Sequence, residues 1–294
     1  MYDINHIYEA NSVEEAIQRR IEQPQALIIS GGSDILIGIR AGKLAGCDLI
    51  SLYMIDELRG VSLDEDGTIR IGSLTSFSSV TKSPVIQKYV NVLGEAADKV
   101  GGPQIRNIGT IGGNTCNGVT SADTASTLMA YDAIIELTGA EGKRLVPIEK
   151  FYLGAKKTDI RADEIQTAVL IRPESYRGYH GYYYKYAMRS AMDIATSGCS
   201  VNVRLSEDKK RIEDARICYG VAGPIPLRTR SAEQAAYGQP ISRDTVEAFA
   251  AGALKDVNPR TSWRATKEFR IQIQGELARR CLTEAINRAG GIWA

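Results

Sequence analysis

The sequence predicts an α+β chain of mixed α/β character, built as two domains. Three observations carry this. An amphipathic helix leads into a short apolar strand ending in the glycine turn Gly31-Gly32-Ser33-Asp34, and ligand turns sit at strand ends in α/β layers. A second glycine-rich stretch, Gly101 to Ser126, stands mid-chain. Beyond Ser175 the composition shifts, and strands come first and helices after, the order of an antiparallel sheet covered by helices.

The opening helix runs from Ser12 to Gln23. Ser12 and Glu15 form a capping box, Val13, Ala16, Ile17 and Ile21 share one face, and Pro24 follows the end. Strands are expected at 26–30 and 48–52, and Val61 to Gly72 alternates around Asp66-Gly67 as a hairpin. Ser83 to Val100 reads as one helical segment, with Val85, Ile86, Tyr89, Leu93, Ala96 and Ala97 on its apolar face. The mid-chain stretch reads as a long loop ending in TSAD, with Ser121 capping a helix over 124–131. A hairpin over 133–148 and a strand over 163–172, stopped by Pro173, complete the first half.

The segment SYRGYHGYY, 175–183, marks the boundary. Its tyrosines read as strand and interface aromatics, because the base-stacking alternative needs a basic surplus that is absent. Strands at 182–188, 197–205 and 213–221 follow, then helices at 231–237, 242–255 with Ser242 as its cap, and 262–289. The last carries Glu276/Arg280 and Glu284/Arg288 at i,i+4.

Composition excludes several functions. Lys plus Arg is 36 and Asp plus Glu is 35, a formal net charge of +1, which argues against a nucleic-acid surface or a strong electrostatic membrane contact. No apolar run approaches the roughly 20 residues that span a bilayer. The start, MYDINHIYEANS, lacks the basic and apolar regions of a secretion signal, so a cytoplasmic location is expected. The five cysteines are scattered without a CxxC, signalling neither an iron–sulfur cluster nor zinc. Cys116, inside the glycine stretch, reads as a small residue that fits there. His6 and His180 neighbour no nucleophile or metal-ligand pattern, so no metal site and no Ser-His-Asp or Cys-His chemistry is expected.

What remains is a ligand-holding chain with little acid–base equipment. Gly101 to Ser126 holds six of the 28 glycines, a pattern suited to backbone pressed against a ligand. Successive free N–H groups in such turns make nests for phosphate oxygens. Neither GxGxxG nor GxxxxGK[ST] is present. The pairing of Gly31-Gly32 with Thr110-Ile111-Gly112-Gly113-Asn114 predicts two turns gripping one phosphate-bearing cofactor that brings its own chemistry.

IISGGSD at 28–34, GPQIRNIGTIGGN at 102–114, SAD at 121–123 and KYAMRSAMDIA at 185–195 together resemble the FAD-binding medium subunit of molybdenum hydroxylases. That group includes xanthine dehydrogenase and carbon monoxide dehydrogenase. The resemblance spans essentially the whole chain and is strongest to the bacterial xanthine dehydrogenase branch. It implies a two-subdomain FAD-binding fold of the vanillyl-alcohol-oxidase/PCMH type over 1–175, with subdomains about 1–58 and 59–175. A C-terminal α+β domain over 176–294 follows.

Carried over by motif, Leu27, Ile28, Ile29, Ser30, Gly31, Gly32, Ser33 and Asp34, with Thr110, Ile111, Gly112, Gly113 and Asn114, would cradle the FAD diphosphate through backbone N–H groups. Asp123 would hydrogen-bond FAD at a ribose or diphosphate-side group. Lys185, and Ile165 or Gln166, would meet its adenine side. Arg189 to Ala195, including Asp193 and Ile194, would lie near the isoalloxazine. Neither glycine motif contains a histidine, so the resemblance implies non-covalent FAD. No cysteine-rich insertion is present, so no extra cluster is implied.

The implied work is electron transfer in a heterotrimer. A molybdopterin-binding large subunit and a small subunit with two [2Fe–2S] clusters would be the partners, and NAD the acceptor. No catalytic acid or base would come from this chain. Three other readings stay open: the FAD subunit of a related hydroxylase for nicotinate, an aldehyde, CO or another N-heterocycle; a stand-alone FAD reductase; and an assembly subunit that binds no cofactor.

Overall fold

The computed structural model describes residues 2–294. The chain begins with β1 (Ile4–Glu9), α1 (Val13–Glu22), β2 (Leu27–Ile29), α2 (Ile35–Arg40) and β3 (Cys47–Ser51), whose strands form a parallel three-stranded sheet in the order β1-β3-β2. β2 is therefore an edge, and the glycine turn leaves from its C-terminal end. Strand β1 is absent from the sequence expectation because its faces are mostly solvated, Ile7 being 55% exposed, so no alternation marks it. The Ser12 hydroxyl caps α1 by accepting from Glu15 N–H. Glu15 reaches back to Asn11 N–H at 2.9 Å, one residue earlier than an ideal capping box.

The next unit holds β4 (Val61–Leu63) and β5 (Ile69–Gly72), then helices α3 (Phe77–Lys82), α4 (Pro84–Tyr89), α5 (Asn91–Asp98), α6 (Pro103–Ile108), α7 (Ile111–Cys116) and α8 (Asp123–Ala130). It continues with β6 (Ile134–Gly139), β7 (Gly142–Pro147), α9 (Ile148–Phe151), β8 (Tyr152–Gly154), β9 (Lys157–Thr158) and β10 (Ile165–Ile171). The antiparallel order β4-β5-β10-β6-β7 brings β10 to the middle of a five-stranded sheet, and β8 pairs with β9 separately.

Two helical expectations need correction here. The helix expected over 83–100 is two, broken at Val90 with φ −141° and ψ 47°. Apolar periodicity continues on both sides of the break, so pattern alone does not reveal it. The stretch 101–126 is not an open loop but is largely helical, in α6, α7 and the start of α8. Glycine disfavours helix by ~1 kcal/mol per residue, and tertiary partners make up the difference: Ile111 N–H donates to Thr75 O at 3.0 Å and Gly112 N–H to Ser73 O at 2.9 Å. The residue ahead of α8 is Ala122, not Ser121, and it makes no side-chain cap bond.

The last unit comprises α10 (Pro173–Tyr176), β11 (His180–Tyr186), β12 (Ser197–Leu205), β13 (Ile212–Gly220), β14 (Leu227–Arg228), α11 (Arg230–Ala236), α12 (Arg243–Asp256) and α13 (Lys267–Arg288). Its strands form an antiparallel sheet in chain order. Strand alternation sorts the tyrosine cluster: Tyr182, Tyr184 and Tyr186 pack on this unit's core, while Tyr183 points into the core of the preceding one.

Helix α8 is buried along its whole length and packs on α5, β12 and β13, so it belongs to both units. Asn202 Nδ2 donates to Ala130 O at its end at 3.1 Å. Just beyond, Asp132, at φ 46°, receives Arg216 at 3.0 Å and Arg228.

Inside the five-stranded sheet, Arg70 grips Glu136 through both guanidinium arms at 2.7 and 2.9 Å, and Thr167 donates to the same carboxylate at 2.6 Å. The Arg70 bonds, against the opposing cost of burial, hold the Glu136 carboxyl at about 2, below its usual 4.5. A depressed folded-state value means the stabilisation is present above 4.5 and is lost as pH falls toward 2. Glu136→Gln should therefore lower the unfolding free energy at neutral pH by about 1–3 kcal/mol, the smaller figure reflecting Arg70's partial exposure. Denaturant melts in acid should show the gap to the parent closing; a gap independent of pH would refute the assignment.

Candidate functional site

The two glycine motifs meet although they lie far apart in sequence. Ser30 Oγ and Thr110 Oγ1 are 3.1 Å apart. Gly31 lies so close to α6 that a Cβ there would sit 1.7 Å from Ile108 O. Glycine at 31 is thus required by the approach of two protein backbones.

The motifs differ in what they offer. Among the described residues, the N–H groups of Ser30 to Asp34 make no hydrogen bond. They line the half-buried turn between β2 and α2, with Gly32 at φ +70°. Amides are rarely left without acceptors unless water or a ligand supplies them, and a curved run of them fits a diphosphate. The second motif is different. Besides Ile111 and Gly112, Gly113 N–H is bonded to Thr110 Oγ1 and Asn114 N–H to Thr110 O, both at 3.0 Å. Of the amide cradle expected from Thr110 to Asn114, the amides of Ile111 to Asn114 are thus bonded within the fold, Thr110 N–H alone has no protein acceptor among the described residues, and the motif braces the first turn through Ser30. Likewise a Cβ at Gly112 would meet the Ser73 backbone at 2.7 Å, so its glycine serves packing rather than ligand approach.

From the second motif the contacts continue. Asn114 Oδ1 accepts from Thr124 Oγ1 at 2.6 Å, placing the start of α8 beside it. The neighbouring Asp123 is buried, with Oδ1 accepting from Tyr183 Oη at 2.9 Å and Oδ2 from Lys185 Nζ at 2.7 Å. Burial pushes the Asp123 carboxyl up, and Lys185 and Tyr183 pull it back only in part. The structure thus joins Asp123 and Lys185, two residues assigned separately to the cofactor, into one ion pair.

Gln166 is also buried against α7. Its Oε1 accepts from Thr115 Oγ1 at 2.8 Å and Cys116 Sγ at 3.1 Å, leaving Nε2 as a buried donor without a partner. Burial drives the Cys116 thiol up to about 12, so it is neutral and not a reactive thiolate. Ile165 points elsewhere, into the core shared with Ile28 beneath the parallel sheet. Of the pair Ile165 and Gln166, only Gln166 presents a free polar group.

The segment 188–194 crosses the start of the mid-chain stretch, with Met192 packed over Gly102. Asp193 is held in place by the amides of Arg189 at 3.0 Å and Ile194 at 2.9 Å. Burial opposes its ionisation, but these amides outweigh it and keep its carboxyl below the usual range. Met188, Met192 and Ile194 are exposed. No hydrogen bond joins this segment to the glycine motifs among the described residues. Sequence reasoning passed over Tyr183, although its position two residues before Lys185 on a strand places both on one face.

Residues 2–173 match the model of the FAD binding domain in molybdopterin dehydrogenase. The chain belongs to this family. Residues 182–285 match the CO dehydrogenase flavoprotein C-terminal domain. The chain is 40% identical over 291 residues to the putative xanthine dehydrogenase FAD-binding subunit of Escherichia coli K12, covering 99% of each. It is 30% identical over 260 residues to the carbon monoxide dehydrogenase medium chain of Hydrogenophaga pseudoflava, covering 88% of this chain and 89% of that one. A solved carbon monoxide dehydrogenase from the same organism superposes with a TM-score of 0.93 at 28% identity, over 98% of this chain and 99% of that one. The chain is a FAD-binding subunit of the molybdenum hydroxylase family, and the unbonded Ser30–Asp34 amides and the orphaned Gln166 donor are polar groups of the kind such a cofactor can engage. No described helix is long and apolar enough to cross a membrane.

The two packing glycines yield a test independent of flavin. Gly31→Ala and Gly112→Ala should each lower the stability of the apo-protein by about 1–3 kcal/mol through forced backbone displacement. Urea melts without FAD measure this; parental midpoints in both would show that the close approaches do not exist in solution.

Proposed function

We propose that this chain is the electron-transfer subunit of a xanthine-type purine dehydrogenase, active on substrate only beside a molybdopterin-binding large subunit and a small subunit carrying [2Fe–2S] clusters, with NAD as acceptor. The observation that supports this branch over others is the 40% identity to the E. coli xanthine dehydrogenase subunit across 99% of both chains, against 30% for the carbon monoxide dehydrogenase medium chain.

Bound non-covalently, FAD would supply exchange of single electrons with the clusters and of hydride with the dinucleotide. The chain's residues hold and surround it. In this reading Ser30 to Asp34 donate their amides to the diphosphate, braced by Ser30 against Thr110. Lys185 and Asp123 serve the adenine and ribose side, with Gln166 Nε2 as a further donor near α7. The segment Arg189 to Ala195 faces the isoalloxazine and sets who approaches it, the ionised Asp193 adding a fixed negative charge. His6 and His180 lie outside this site, and no acid–base step toward the purine is assigned to this chain.

The purified chain should oxidise NADH with an artificial dye yet fail to hydroxylate a purine, and acid precipitation should release its flavin to the supernatant. Purine hydroxylation by the chain alone, or yellow colour retained by the precipitate, refutes the subunit or the non-covalent reading respectively. Asp193→Ala at full FAD occupancy should change NADH–dye activity and raise the flavin midpoint potential, because a nearby negative charge is removed. Unchanged values of both place the segment away from the isoalloxazine.

A further inference from the structure

Tyr183 does more than fill a core. Its hydroxyl is directed at Asp123 Oδ1 and buried with it, Tyr183 being 4% exposed and Asp123 8%. The neighbouring strand makes room for that hydroxyl with glycine: a Cβ at Gly198 on β12 would stand 3.2 Å from Tyr183 Oη. Gly198 pairs across the ladder with Lys185, so one short stretch of sheet carries the hydroxyl, its clearance and the lysine.

The donors of Lys185 can be counted. An ammonium has three N–H groups. One goes to Asp123 Oδ2 at 2.7 Å and one to Lys99 O at 2.9 Å, which leaves one for an external acceptor. The direction of that remaining donor depends on where the Asp123 carboxylate is held, and Tyr183 is what holds its other oxygen.

We propose that Tyr183 is a positioning residue for FAD: seated over Gly198, its hydroxyl fixes the Asp123 carboxylate, which aims the free Lys185 donor at the adenine side of the cofactor. This rests on the reading of Lys185 and Asp123 as FAD-side residues. Charged and titratable groups around the carboxylate are Tyr183 and Lys185 from β11, while α5 presents the Lys99 carbonyl; Cys199 of β12 and Cys281 of α13 lie near Tyr183. Removing the Tyr183 hydroxyl deletes one of the two pulls that oppose burial at Asp123. The carboxylate then protonates at higher pH and releases Lys185. FAD affinity is complete where Asp123 is ionised and falls as pH drops, so the variant should lose affinity at a higher pH than the parent.

The test is FAD binding to the full chain, followed by flavin fluorescence from mildly acidic to mildly alkaline pH. Tyr183→Phe should raise the FAD Kd on the order of tenfold in mild acid, with near-parental binding regained in alkali. Gly198→Ala, which crowds the hydroxyl but keeps the tyrosine, should shift the profile in the same direction and serves if Tyr183→Phe does not fold. A loss of equal size at every pH, or no loss, overturns the proposal. Asp123→Asn and Lys185→Met separate the two levels of inference. If both bind FAD as the parent does, the underlying assignment fails and the proposal with it. If both weaken binding while Tyr183→Phe and Gly198→Ala leave the profile in place, only the positioning role fails.

Discussion

A backbone amide without a protein acceptor must find one in water or a ligand, and Ser30 to Asp34 keep a run of such amides in a half-buried turn. Much of the surrounding structure keeps that turn open. It leaves the edge of a parallel sheet, so one side stays free of strand partners. Gly31 lets α6 approach without filling the turn, and Ser30 is braced on Thr110. The second glycine motif spends its own amides on Thr75, Ser73 and Thr110 to supply this rigid backing. One motif keeps its amides unbonded and the other commits most of its own, although both look alike as strings of glycine.

The second constraint is that the two halves of the molecule keep a fixed relation. Helix α8 lies buried between them, and polar contacts collect at both its ends: Asp123 with Lys185 and Tyr183 at the start, Asn202 on Ala130 O and Asp132 with Arg216 and Arg228 at the finish. Arg288–Glu95 and Arg230–Glu149 add exposed pairs across the same interface, and pairs of that kind contribute little to stability. The buried Asp123 pair differs. Its desolvation cost makes it a poor source of net stability, and its consequence is registry: it holds β11 in one position against α8.

Much of the fold was legible in the sequence where signals are local. The Ser12 cap, the Asp66-Gly67 hairpin, the Ser242 cap of α12 and the Glu276–Arg280 pair each follow from residues a few positions apart. Solvated β1 carried too weak a periodicity to be seen, and the break at Val90 falls inside an unbroken apolar pattern. The glycine stretch misled in the opposite way. Its composition disfavours helix, yet the carbonyls of Ser73 and Thr75, well upstream in sequence, supply the partners that α7 needs.

The sequence by itself pointed to a phosphate-bearing cofactor and to two glycine motifs, because the glycines and flanking apolar strands are short-range patterns with a direct conformational meaning. It also determined the antiparallel half, since alternation and capping act within a few residues. Only the tertiary structure decided which motif has amides to give, because an N–H is free or spent according to acceptors distant in sequence. It alone joined Asp123 to Lys185 and brought Tyr183 to their side, since side-chain contact across α8 and β11 depends on how two packed units meet, a relation that no local spacing encodes.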